Sequence, residues 1–77
     1  MTREIRERLI REVKNITEEG KKAFRLIHQE IKNSLKKIAN LSQDQKRNYE
    51  AQTDKLIKDY QDKLISAEQK KIKELSS

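Results

Sequence analysis

The fold of this chain is decided by the stretch Ala39-Asn40-Leu41-Ser42-Gln43-Asp44-Gln45, where helical signals stop and then start again. Asn40 is a residue type that can close a helix in the left-handed conformation when no Gly is present. Ser42 and Gln45 have the spacing of a capping box, and Asp44 would place negative charge in the first turn of the following helix. Because the connection is so short, the helices on either side must lie antiparallel. The sequence therefore predicts a helical hairpin.

Before this stretch, apolar residues recur along one side of a single long helix, predicted from about residue 2 to residue 40. At about 100° per residue they fall within an arc of roughly 120°, the width of a core-facing stripe. Thr2 is available as the N-cap. Gly20 lies inside the stripe, and since an interior Gly costs roughly 1 kcal/mol relative to Ala, its position predicts close approach of a neighbouring helix. The stripe contains Ile5, Leu9, Val13, Ile16, Ala23, Phe24, Ile27, Ile31, Leu35 and Ile38.

After a turn at residues 41–42, a second helix is predicted over residues 43–75, so that residues 1–77 form one all-α unit. Two helices side by side do not cover stripes this wide, because each contacts the other over part of its circumference. Either these are two long helices of a three-helix bundle and a third helix is missing from this chain, or two hairpins pair into a four-helix bundle. The packing residues predicted in the second helix are Tyr49, Leu56, Ile57, Tyr60 and Leu64, with Thr53, Ala67 and Leu75 on the same side.

Composition excludes several classes of protein. The chain has 77 residues with one Gly, no Pro and no Cys, which argues against sheet folds, disulfides and thiolate chemistry. No apolar run exceeds two residues, so no membrane partner is predicted. The one His, His28, has no Asp, Glu or Cys three or four residues away, which disfavours a metal site on one helical face. No catalytic residue, metal or cofactor is predicted.

Positive charge is concentrated in the second half of the first helix. The net charge is +6, and residues 20–40 hold six Lys and Arg against the single acid Glu30. We call the following residues the cationic ridge, because they gather within about 80° opposite the apolar stripe: Lys21, Arg25, His28, Lys32 and Lys36. Such a ridge can neutralise several phosphates and suits the shape of folded RNA. A solvated face is the alternative, since no aromatic residue interleaves with the cations.

The order of residues resembles the ribosome recycling factors, specifically the two long C-terminal helices of their helical-bundle domain. Residues 2–14, TREIRERLIREVK, are similar to the family's L-T-E-E-R-R-x-x-L-V-K-x-V-K. Residues 18–30, EEGKKAFRLIHQE, are similar to E-x-A-R-V-A-I-R-N-I-R-R-D, whose arginines contact ribosomal RNA in the family. Residues 53–57, TDKLI, resemble L-T-D-K-x-I, and residues 66–70, SAEQK, stand where the family has its K-E-x-E ending.

The chain also departs from the family pattern. Of the three arginines in R-N-I-R-R only Arg25 is kept, and His28 and Gln29 occupy the other two positions. Between Leu35 and Thr53 the chain is about seven residues shorter, equivalent to about one turn from each arm of the hairpin. The family's N-terminal helix and inserted β domain have no counterpart, so the resemblance implies a fragment or a reduced homologue.

The resemblance implies a factor that binds ribosomes after termination, contacts large-subunit ribosomal RNA through the cationic ridge and separates the subunits with elongation factor G. It implies the bacterial cytoplasm or an organelle matrix as the location. The competing hypothesis is a structural coiled-coil hairpin that self-associates through its apolar stripe and has no RNA partner. The two hypotheses are compatible, because a dimer that covers the stripe would leave the ridge free.

Overall fold

The computed structural model describes residues Met1–Ser77 and contains two helices and no strand. Helix α1 spans Arg3–Lys37 and helix α2 spans Gln43–Ser76. The helices pack side by side in opposite directions, and the hairpin is 59 Å long. The predicted all-α antiparallel hairpin is therefore confirmed.

The helix ends are set by local hydrogen bonds. The Thr2 hydroxyl accepts from the Ile5 backbone N–H at 3.3 Å. At the second helix, the Gln45 N–H donates to the Ser42 hydroxyl at 3.2 Å, and the Ser42 N–H donates to the Gln45 side chain at 3.0 Å, which completes the capping box. Both caps satisfy backbone donors that a helix start leaves without intrahelical partners.

The exit from α1 differs from the prediction. The helix ends at Lys37 rather than near residue 40, and Ile38 caps it in an extended conformation with its N–H donating to the Leu35 carbonyl. No residue has a positive φ, so the left-handed conformation expected at Asn40 is wrong. The chain leaves α1 through extended backbone, which every residue type adopts without the steric cost of the left-handed region.

The two helices approach each other closely at Gly20. A Cβ built on Gly20 would lie 2.7 Å from the Leu64 Cδ2 atom, so the predicted close approach at Gly20 is present. One turn further along, the rings of Phe24 and Tyr60 stack with 6.1 Å between their centroids. The most buried residues are Thr17, 3% exposed, and Ile57, 9% exposed.

Thr17 is a core residue that sequence reasoning missed. Its hydroxyl donates to the Val13 carbonyl at 3.2 Å, and this bond allows the side chain to be buried without an unsatisfied polar group. The sequence indication of its burial is its helical angle, which places Thr17 at the edge of the apolar stripe marked by Leu35.

For the hairpin itself, the predicted set of packing residues is too broad. Leu9, Val13, Phe24, Ile31, Leu35, Ile57 and Leu64 are partly or fully buried. The rest remain exposed because α2 covers one edge of the stripe on α1 and leaves the other edge open, as expected for two cylinders in contact. These exposed predicted residues are Ile5, Ile16, Ala23, Ile27, Ile38, Tyr49, Leu56 and Tyr60.

The exposed apolar residues share one side of the hairpin. On each helix, the exposed apolar residues are rotated by roughly 80–90° about the helix axis from the residues that face the other helix, and the rotation has the same sense in both helices. Because the helices are antiparallel, this common rotation places the exposed apolar residues of α1 and α2 on the same side of the hairpin. We call this side, with Ala67, the open face. A groove of about 280 Å³ runs along it near one end, between Ile16 of α1 and Ala67 of α2.

Candidate nucleic-acid interface

The cationic ridge lies along α1 on the side of the hairpin away from the open face. Its residues follow one another at three- and four-residue spacing, which keeps them on one helical face over about 22 Å. Arg25 and Lys36 are exposed, whereas Lys21, His28 and Lys32 are partly buried at the edge next to α2. The structure therefore brings all five predicted residues to one strip of surface, but with different access to solvent.

The five residues also differ in their ionic partners. Lys21 pairs with Glu18 one turn earlier, with 3.3 Å between Nζ and Oε1. His28 Nε2 contacts the Asp54 carboxylate, and Lys32 Nζ lies 3.9 Å from the same Asp54 oxygen. Arg25 and Lys36 have no ion pair, which leaves them as the ridge cations without a carboxylate of their own.

Asp54 is the residue of this surface that sequence reasoning missed. It belongs to α2 and is 26 positions from His28 along the chain, so no spacing rule within one helix could reveal the contact. The contact could have been predicted only from the pairing of residues across the hairpin. Once the turn is placed at residues 38–42, an antiparallel partner for position 28 must lie in the mid-fifties. Asp54 introduces negative charge into the middle of the ridge.

The sequence that forms this hairpin matches a known protein family. The family model for ribosome recycling factor matches residues 1–75. The chain belongs to the ribosome recycling factor family. No curated protein and no solved structure matches it. Membership in this family of translation factors confirms the resemblance drawn from residues 2–14, 18–30 and 53–57.

In this ribosome recycling factor family member, the ridge offers cations but no stacking platform. Phe24 is partly buried between the helices and stacks on Tyr60, which lies on the open face, on the other side of the hairpin. Base stacking on aromatic rings, which many single-strand binders use, therefore has no counterpart on the ridge. What the ridge can do chemically is place fixed positive charges against phosphate groups.

Two further features limit the chemistry of the chain. His28 and Asp54 form a pair, and no group of three or more His, Cys, Asp or Glu side chains is placed to hold a metal ion. Neither helix is apolar enough over a sufficient length to cross a bilayer.

Proposed function

We propose that this hairpin binds large-subunit ribosomal RNA through the cationic ridge and takes part, with elongation factor G, in recycling ribosomes after termination. It does so as a binding rod, without catalysis or a cofactor, in a bacterial cytoplasm or an organelle matrix. The observation that carries the proposal is the position of Arg25 and Lys36. Both are exposed, and neither is paired with a carboxylate. Family membership supports the ribosome as the partner.

The distance between these two cations favours contact with separate phosphates. Arg25 and Lys36 are eleven residues apart on one helix, about 16 Å at 1.5 Å per residue. Each contact releases condensed counterions from the RNA, which gives the binding free energy its dependence on salt. Arg25 can bind a phosphate through two N–H groups, whereas Lys36 acts as a point charge.

The rigidity of α1 favours recognition of shape over recognition of base sequence. A continuous helix from Arg3 to Lys37 holds the ridge in one geometry, and RNA helices expose phosphates and 2′-hydroxyls in a fixed pattern across their minor groove. Without aromatic stacking or a loop that reads base edges, the ridge should discriminate among RNA folds rather than among base sequences.

The experiment that tests this proposal is a salt-titrated pelleting assay with isolated large and small ribosomal subunits. We expect saturable binding to the large subunit, with a log–log salt slope of magnitude at least about 2, because two free cations reach phosphates. Small subunits serve as the control polyanion. Equal affinity for both subunits at every salt concentration would contradict large-subunit recognition, and binding that is insensitive to salt would contradict the ridge.

Removing the Asp54 charge should strengthen RNA binding. Asp54→Asn leaves a side chain that can still hydrogen-bond His28 but no longer neutralises Lys32. We expect a gain of about threefold to tenfold in affinity at low salt, since each added phosphate contact raises the salt slope by about one. The measurement is the same pelleting assay. Asp62→Asn is the matched control, because Asp62 is exposed and has no ion pair; equal gains in both variants would reduce the effect to net charge.

A further inference from the structure

Helix α2 adds two cations to the side of the hairpin that carries the cationic ridge. Asp54 marks this side of α2, because its carboxylate contacts His28 and lies 3.9 Å from the Lys32 Nζ atom. Lys58 stands four residues after Asp54, and Arg47 stands seven residues before it. Both spacings return to the same face of a helix. Arg47 and Lys58 therefore lie beside the ridge, although they are distant from it in the sequence.

Arg47 and Lys58 are both available to an anionic partner. Their side chains are exposed, and neither forms an ion pair. Asp54 precedes Lys58 by one turn, but its carboxylate contacts His28 on α1. Glu50 is the other acid between the two cations, and it is partly buried. We call Arg47 and Lys58 the second row, because they repeat on α2 what the two exposed, unpaired cations of the ridge provide on α1.

The register of the hairpin places the second row opposite those two cations of the ridge. Residues in contact across the hairpin have numbers that add up to between 82 and 86. These contacts are Gly20 with Leu64, Phe24 with Tyr60, His28 with Asp54 and Lys32 with Asp54. The numbers of Arg25 and Lys58 add up to 83, so these two residues lie at one level along the hairpin. Lys36 and Arg47 share a level for the same reason.

The four cations stand at the corners of a rectangle. On each helix the two cations are eleven residues apart, which is about 16 Å at 1.5 Å per residue. The axes of two packed helices are about 8–10 Å apart. Because all four side chains leave their helices on the same side of the hairpin, the two rows are separated by about that distance. The surface therefore presents two parallel lines of positive charge.

Two lines of positive charge fit a partner that has two lines of negative charge. A single RNA strand offers one line of phosphates, whereas an RNA helix has two phosphate strands, which come close together across its deep and narrow major groove. One strand can lie along α1 and the other along α2. Unpaired bases are bound mainly by stacking on aromatic rings, and no aromatic side chain lies on this side of the hairpin.

We infer that Arg47 and Lys58 bind RNA together with Arg25 and Lys36, and that the partner of this surface is an RNA helix held by its two phosphate strands. The inference rests on the proposed function, because it assigns further residues and a class of RNA to the same surface. Each helix of the hairpin then contacts one strand, and the register of the hairpin sets the distance between the two lines of contacts.

The first test applies the pelleting assay with isolated large subunits to the double variant Arg47→Glu with Lys58→Glu. We expect the affinity to fall about a hundredfold at low salt and the salt slope to fall by about two, because two phosphate contacts are lost. The matched control is Lys63→Glu with Lys70→Glu. Both control residues are exposed on α2, and Lys63 lies over the Tyr60 ring on the opposite side of the hairpin.

The control changes the net charge by the same amount and should lose affinity less than about threefold, through long-range charge alone. The helical signal at 222 nm shows that both double variants remain folded. If the parent chain bound large subunits and the two double variants lost affinity equally, the second row would be overturned while the contact through α1 stood. If the parent chain did not bind large subunits at all, the proposed function would fail as well.

The second test compares an RNA duplex of about 20 base pairs with one of its strands, chosen without self-complementarity. We expect the parent chain to bind the duplex at least about tenfold more tightly than the strand. Any cationic surface favours the denser charge of a duplex, so the deciding measurement is the change in this preference. Arg47→Glu with Lys58→Glu should reduce it to below about threefold, because one row contacts one strand. A preference that the double variant left unchanged would overturn the RNA helix as the partner.

Discussion

Replacing Arg25 and Lys36 together with Glu will lower the affinity for the large ribosomal subunit by about a hundredfold at low salt. Both side chains are exposed and free of carboxylate partners, so the change removes two phosphate contacts and puts two negative charges in their place. Because each lost contact reduces the salt slope by about one, we expect the slope to fall by about two. The measurement is pelleting with large subunits at several salt concentrations, together with circular dichroism to show that helicity is retained.

The matched control is the double variant Lys55→Glu with Lys73→Glu. It changes the net charge by the same amount, but both residues are exposed on α2, away from the ridge, and neither forms an ion pair. We expect the control to lose affinity less than about threefold, through long-range charge alone. Equal losses in the two double variants would mean that the subunit attracts the chain by its overall charge, and the ridge would have no special role.

Replacing Ile57 with Asp will unfold the hairpin at room temperature. Ile57 is the one apolar residue that the hairpin buries, and a carboxylate at that position loses the apolar contact and is largely removed from water. Such a change costs several kcal/mol, which is comparable to the whole stability that a chain of this size can reach. The measurement is the helical signal at 222 nm during urea and thermal unfolding.

Leu26→Asp serves as the control for Ile57→Asp, because it introduces the same residue into a helix where the original side chain is 67% exposed. Its expected cost is below about 1 kcal/mol, mainly the lower helix propensity of Asp. If both variants kept the parent's midpoint, the helices would be stable without packing on each other, and the hairpin would not describe the chain in solution.

Much of the fold could be predicted from the sequence because local signals agreed. The capping residues Thr2 and Ser42 act where their type predicts, and Gly20 marks a close approach of the helices. The end of α1 was less predictable. Ile38 leaves the helix in an extended conformation, a choice that depends on how the two long helices meet rather than on the residues of the turn.

The candidate site was predictable in its location but not in its electrostatic detail. Helical spacing along α1 identifies the five ridge residues, since it depends on one helix alone. The partners of His28 and Lys32 come from α2, and a contact between distant positions needs the register of the hairpin. The same reason explains why the open face could not be located from the sequence. Helical periodicity gives the width of the apolar stripe on one helix, whereas only the packing of the two helices shows which edge of that stripe is covered.

The absence of a side chain at Gly20 also fixes the register of α2 against α1. The Leu64 methyl group occupies space that a Cβ would fill, and the positions one turn away on the same side of α1, Thr17 and Phe24, carry larger side chains. Sliding α2 by a turn of about 5.4 Å would drive Leu64 into one of them. The Gly20–Leu64 contact therefore allows one register of the two helices. This register also fixes the distance between Arg25 on α1 and Asp54 on α2.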